Sequence, residues 1–118
     1  MRRTARFLSI LAVTVAAVPL HDTLKEVGPI ESNAPPPVLR TISRTALWRA
    51  QTPQAFPRAL LEAAYSGARA DGVAATDDAE LVERSGGTVV LVRDVSSNLK
   101  VTTPEDFRLA EALARVGR

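Results

Sequence analysis

A chain of 118 residues with a formal charge of +2, 46% apolar and 24% charged, is one small domain at most or a piece of a larger one. It has no cysteine and one histidine, His21, which excludes a disulfide framework, a thiolate metal site and a histidine zinc cluster. Basic residues cluster only at Arg2, Arg3 and Arg6, and aromatics make up 4% of the chain, so neither a nucleic-acid footprint nor a base-stacking platform is expected.

Residues 1–20 admit two readings. Three arginines, an apolar run from Phe7 to Leu20 and the small pair Ala16-Ala17 have the layout of a secretory signal. The run is short for a membrane span. The valine-rich stretch 13–19 also reads as a buried strand of a parallel sheet, where a continuous apolar run is normal.

Residues 22–44 form a polar excursion, punctuated by Gly28-Pro29 and by Pro35-Pro36-Pro37, which favours an extended polyproline conformation. Residues 38–42 read as a short strand. An out-and-back arm fits, outward over 23–27, turning around 31–37 and returning over 38–44. A two-stranded arm alone is marginal in water and needs a partner surface. A disordered Pro-rich linker is the alternative.

The segment Leu47-Trp48-Arg49-Ala50-Gln51-Thr52-Pro53-Gln54-Ala55-Phe56 follows. Pro53 biases Thr52 towards an extended conformation, so Thr52 is expected to end an extended stretch between two aromatic anchors, Trp48 and Phe56. Residues 57–71 predict a helix with Pro57 in its first turn, an apolar face of Leu60, Leu61, Ala64, Tyr65 and Ala68, and Gly72 as its stop. Thr76-Asp77 opens a shorter helix, with Asp77 and Glu80 at capping spacing and Gly86-Gly87 as its end. Residues 88–92 predict a buried strand and 98–102 another short strand. Thr103 is placed to cap a final helix, with Pro104 in its first position and Phe107, Ala110, Leu113 and Ala114 on its buried face. Strands alternating with helices give an α/β class with a mainly parallel sheet, whose ligands bind at the carboxyl ends of strands.

Five motifs stand in order: Asp22-Thr23-Leu24-Lys25, Arg44, the Gln51-Thr52-Pro53-Gln54 stretch, Thr76-Asp77-Asp78, and Asn98-Leu99-Lys100-Val101-Thr102-Thr103-Pro104-Glu105-Asp106. Together they resemble the C-terminal half of the 2-C-methyl-D-erythritol 4-phosphate cytidylyltransferase family, from about Ala16 to Ala114. Residues 1–12 are expected to match poorly. The resemblance implies part of a Rossmann-like nucleotidyltransferase sheet with a protruding β-arm. Its regions would be an apolar segment and strand over 1–21, a dimerisation and substrate arm over 22–46, and an α/β part over 47–118. It also favours a cytoplasmic strand over an exported leader at residues 13–19. Export, with processing near Ala17, is the rival.

The family reaction joins the phosphate of methylerythritol phosphate to the α-phosphorus of CTP and releases pyrophosphate. It needs alignment and charge neutralisation rather than a protein nucleophile. Carried over to this chain, Thr23 and Arg44 would contact the methylerythritol phosphate, and Thr52 and Thr76 would supply hydroxyls near it. Lys100 would lie close to the reacting phosphates as the catalytic residue. A guanidinium grips a phosphate through paired bonds, and a lysine acts as a point charge. A divalent ion, magnesium by resemblance, would be held mainly by nucleotide phosphates and by the family's first half. Asp77, Asp78, Glu105 and Asp106 read as helix-start residues rather than metal ligands. Expected partners are CTP, the sugar phosphate and a second copy of the chain through the arm, with no nucleic acid and no membrane. None of the glycines Gly28, Gly67, Gly72, Gly86, Gly87 and Gly117 makes a phosphate-cradling loop, so this chain alone is expected to be inactive. A non-catalytic dimerising or binding fragment is the alternative function.

Overall fold

The computed structural model describes residues 12–31 and 33–117. In chain order its elements are β1 (Val13–Pro19), β2 (Leu24–Val27), β3 (Val38–Ile42), β4 (Trp48–Ala55), α1 (Arg58–Asp71), α2 (Asp78–Arg84), β5 (Val89–Arg93) and α3 (Pro104–Val116). Among the described residues, those up to Val18 and from Ala50 onward form one compact unit, and those of Pro19–Arg49 form another. Residues 1–11, which carry the basic start of the leader reading, lie outside the described part.

The larger unit is built on a three-stranded sheet ordered β4-β1-β5. Its valine-rich middle strand, β1, pairs in parallel with β5, from Val13 opposite Val89 to Ala17 opposite Arg93. The ladder extends past β5, where the Asp94 amide donates to the Ala17 carbonyl at 3.0 Å. Two parallel strands need a crossover, which α1 and α2 supply. On β1, Val13, Val15 and Ala17 are buried, while Thr14 and Ala16 are only half-buried. One face of the strand therefore carries most of the core. Val13, Val15, Ala64, Ala79, Leu81 and Val82 form that core, with Phe56, Leu60, Ala68, Ala75 and Val89 packed against it. Each fully buried valine contributes about 1.5–3 kcal/mol in removed apolar surface.

Helix α1 presents the expected face only in part. Ala64 is buried, Leu60, Leu61 and Ala68 are half-buried, and Tyr65 is exposed, its hydroxyl donating to Asp78. The helix closes on Gly72, whose φ of 65° is left-handed. The Val73 amide reaches back to the Ala68 carbonyl at 3.0 Å, the long bond of a glycine-terminated helix. At α2, Asp77 caps the Glu80 amide at 2.8 Å. The return bond is displaced by one residue, because the Glu80 carboxylate accepts from the Thr76 amide and hydroxyl at 2.6 and 2.8 Å. At α3 the box is complete: Thr103 accepts from the Asp106 amide, and Asp106 accepts from the Thr103 amide.

Four expectations are corrected. Residues 98–102 are not a strand; side-chain amides hold the start of the segment in place of a ladder. Leu91 and Val92 of β5 are exposed, because the described residues leave both faces of that end of the strand uncovered. Helix α3 buries none of its residues, and Phe107 and Leu113 stand in the open. Thr52 does not end an extended stretch, since β4 runs on through the cis Thr52-Pro53 bond to Ala55.

The smaller unit is the arm. β2 and β3 pair antiparallel, Leu24 opposite Ile42 and Lys25 opposite Thr41, with an irregularity between Glu26 and Val27. The Gly28 amide donates to the Pro37 carbonyl at 2.9 Å and closes the pairing towards the tip. Lys25 Nζ donates to Thr41 Oγ1 at 2.6 Å, and Arg40 pairs with Glu26 across the strands. A turn at the base brings the Leu47 amide to the Arg44 carbonyl at 3.0 Å, with Ala46 at a φ of 63°.

Candidate functional site

Within the larger unit, two loops converge on β4. The first follows β5. Gln51 Nε2 donates to the carbonyls of Val95 and Asn98, each at 3.0 Å. Asn98 Nδ2 donates to the Thr52 carbonyl at 2.6 Å and to Asp94 Oδ2 at 2.7 Å. The other Asp94 oxygen accepts from the Val95 amide at 2.8 Å. The orientation of the Gln51 amide follows from its partners, because flipping it would set its oxygen against two carbonyl oxygens. Its Oε1 is buried and has no hydrogen-bond partner among the described residues.

The second loop precedes α2. Gln54 Nε2 donates to Asp77 Oδ2 at 3.1 Å, which ties the helix start to β4 three residues beyond Gln51. Both glutamines of the Gln-Thr-Pro-Gln stretch therefore bind loops rather than ladder partners. Thr52 lies between them, with its side chain exposed.

These bonds gather three predicted site residues into one unit. Thr52 is on β4, Thr76 is next to the Asp77 that Gln54 holds, and Lys100 is two residues past the Asn98 that binds the Thr52 carbonyl. Lys100 is exposed and irregular in backbone, not part of a strand. Its ammonium has no hydrogen bond or ion pair among the described residues. The Thr76 hydroxyl is committed, since its one O–H donates to Glu80. Its oxygen can still accept a hydrogen bond, which suits a substrate hydroxyl better than a phosphate. The two bonds from Thr76 also hold the Glu80 carboxyl below its ordinary range.

Thr23 and Arg44 lie in the arm unit. Thr23 precedes β2 and is exposed. Arg44 spends one guanidinium N–H on the His21 carbonyl, pinning the returning chain to the segment before β2. Its side chain is otherwise exposed, with a planar fork of donors to offer.

Tyr65 is raised above its usual range by its hydrogen bond to the Asp78 carboxylate. Asp106 is lowered to about 2, first by the bonds from Thr102 and then by those from Thr103. Both shifts belong to helix-start architecture. No group of three or more His, Asp or Glu side chains among the described residues could hold a metal ion. The donor set described therefore does not build a divalent-cation site. Among the described residues no helix is long and apolar enough to cross a membrane.

The roles of Gln51, Gln54, Asp94 and Asn98 were not legible as site chemistry. Their only signal was two side-chain amides flanking a Thr-Pro step in an otherwise apolar neighbourhood.

The profile of the family described as IspD, 2-C-methyl-D-erythritol 4-phosphate cytidylyltransferase, matches residues 2–116. The match takes in most of residues 1–12, which were expected to fall outside the pattern. A protein of that description from Bacillus licheniformis is 46% identical over 99 residues, covering 84% of this chain and 40% of that protein. One from Gloeobacter violaceus is 44% identical over 113 residues, covering 96% of this chain and 47% of that protein. A crystal structure of the enzyme from Thermus thermophilus superposes with a TM-score of 0.75 at 39% identity, covering 93% of this chain and 52% of that one. The chain thus spans about half the length, or less, of these relatives.

Proposed function

The chain belongs to the 2-C-methyl-D-erythritol 4-phosphate cytidylyltransferase family, and from that premise we propose that it supplies the acceptor side of cytidylyl transfer. We read it as the C-terminal half of the family domain. The observation that supports this reading is that hydrogen bonds tie the neighbours of Thr76 and Lys100, Asp77 and Asn98, to the stretch of β4 that carries Thr52.

In the proposed reaction an oxygen of the sugar phosphate forms a bond to the α-phosphorus of CTP. The bond from that phosphorus to the pyrophosphate oxygen breaks, and pyrophosphate leaves. Two anions must approach each other, so cations and preorganised donors lower the barrier. Lys100 contributes a mobile point charge at the reacting phosphates. Arg44 grips the acceptor phosphate through its fork, and Thr23 donates beside it. Thr52 and Thr76 orient the acceptor, Thr76 as an acceptor of a substrate hydroxyl. The nucleotide-phosphate cradle must come from outside the described residues.

The exposed apolar residues Val27, Val38 and Leu39 on the arm support a homodimer formed through it. A second copy would then bring its own Thr23 and Arg44 to the assembly. A cytoplasmic setting follows from a nucleotide substrate. The dimerising, non-catalytic fragment is the second reading, which the same exposed apolar residues of the arm support.

The test is titration calorimetry with 2-C-methyl-D-erythritol 4-phosphate, alongside a pyrophosphate-release assay with CTP. Binding of the sugar phosphate that Lys100→Ala weakens supports the acceptor reading. Binding without turnover places the activity in the assembled domain. No binding by the wild-type chain leaves the dimerising fragment as the better account.

A further inference from the structure

Beyond the Asp94 amide, which still pairs with the Ala17 carbonyl, the loop after β5 has no ladder and little apolar burial, yet six further hydrogen bonds hold it. Gln51 bridges two of its carbonyls, Asn98 reaches the Thr52 carbonyl and Asp94, and Asp94 receives the Val95 amide. The Asn98 amide adds a turn bond to the Val95 carbonyl at 3.1 Å. Four of the six come from two side-chain amides, Gln51 on the strand and Asn98 on the loop. An ordinary exposed loop needs none of this, because water satisfies its carbonyls. The clamp fixes one thing that water cannot fix, the path of the backbone leaving Asn98. Lys100 begins two residues later, within about 7 Å along the chain.

We infer that Gln51 and Asn98 are positioning residues, which set where Lys100 stands relative to Thr52. The inference rests on the acceptor-side reading given above. A lysine is a compact charge on a flexible stem, so its effect depends on where the stem is rooted. A root fixed by four amide bonds limits the volume the ammonium explores and keeps it near a phosphate bound at Thr52. Arginine at this position would bring its own geometry, whereas lysine takes its geometry from the backbone.

The experiment uses the full chain and near-isosteric variants that replace each side-chain amide with an apolar group, Asn98→Leu and Gln51→Met. Hydrogen exchange of the amides over 95–100 is measured together with calorimetric binding of 2-C-methyl-D-erythritol 4-phosphate. Each variant is expected to speed exchange in this loop about tenfold and leave the β1 and β5 amides unchanged. Each is expected to weaken binding about tenfold in the wild-type background and to add no further loss in a Lys100→Ala background. Losses that add in full would overturn the positioning role, because the amides would then act on the fold or on the ligand directly. Unchanged loop exchange would overturn it as well. If Lys100→Ala binds as tightly as wild type, or the wild-type chain does not bind, the acceptor-side reading falls and the positioning role falls with it. If one variant fails to fold, the other decides the question.

Discussion

Gly87 sits where α2 turns into β5, and its amide donates to the Val82 carbonyl at 2.9 Å. A Cβ built there would stand 2.4 Å from Val82 Cγ1 and 3.1 Å from the Val82 carbonyl oxygen, with Leu60 Cδ1 at 3.7 Å. Val82 is fully buried, so its methyl has nowhere to retreat. Gly87→Ala is therefore an overpacking change costing about 1–3 kcal/mol. Val82→Ala removes two methyl groups, about 0.8 kcal/mol each in transfer, and with the residual cavity costs about 2 kcal/mol. The two changes are not independent, because the second deletes the atom the first collides with. The double variant is expected to fall short of the summed losses by about 1 kcal/mol or more. Urea unfolding followed by far-UV circular dichroism gives all four corners of the cycle. A core this small supplies only about 3–5 kcal/mol, so midpoints are more informative than extrapolated free energies. Additivity within about 0.3–0.5 kcal/mol would refute the reasoning and place the Gly87 constraint in the backbone instead.

Three further outcomes are expected. Thr103→Ala removes the cap of α3 and should cost about 1 kcal/mol of helix stability, read as lost ellipticity and faster exchange in the first turn. The Asp106 carboxyl is depressed to about 2, so its contribution is present above the unfolded value of about 4 and is lost as pH falls from about 4 to about 2. Glu80 is depressed as well and acts in the same direction, so acid titration should weaken the helix starts, and Asp106→Asn should flatten that dependence at α3. Ala46 holds a left-handed φ of 63°, a conformation costing a non-glycine residue about 1 kcal/mol, so Ala46→Gly should leave the arm unchanged or stabilise it, with an unchanged or higher melting temperature as the readout.

Local chemistry was legible wherever a residue acts on its own neighbours. Gly72, Asp77, Thr103 and Pro104 mark the helix boundaries they were expected to mark, because caps and stops are settled within four residues, while Pro57 stands in extended backbone just before α1 rather than in its first turn. The pairing of the arm was legible for a similar reason, since a Pro-rich interruption between two short extended stretches suits an out-and-back pair, and the antiparallel β2–β3 ladder is what forms. Burial was not legible in the same way. The pattern of Phe107, Ala110, Leu113 and Ala114 makes one face of a helix, but only the rest of the structure decides whether anything lies against that face.

The order of the five motifs determined the family, and the residue types determined the charge and hydroxyl chemistry available to it. Tertiary structure alone decided which of those residues share a neighbourhood. Asn98 to Thr102 had the composition of a strand, but strand formation needs a partner ladder, and here the Gln51 side chain takes the Asn98 carbonyl and the Asp106 carboxylate takes the Thr102 amide instead. Gln51 and Asn98 lie 47 positions apart. A contact at that separation is set by where β4, β1 and β5 lie in one sheet, and no local pattern encodes it.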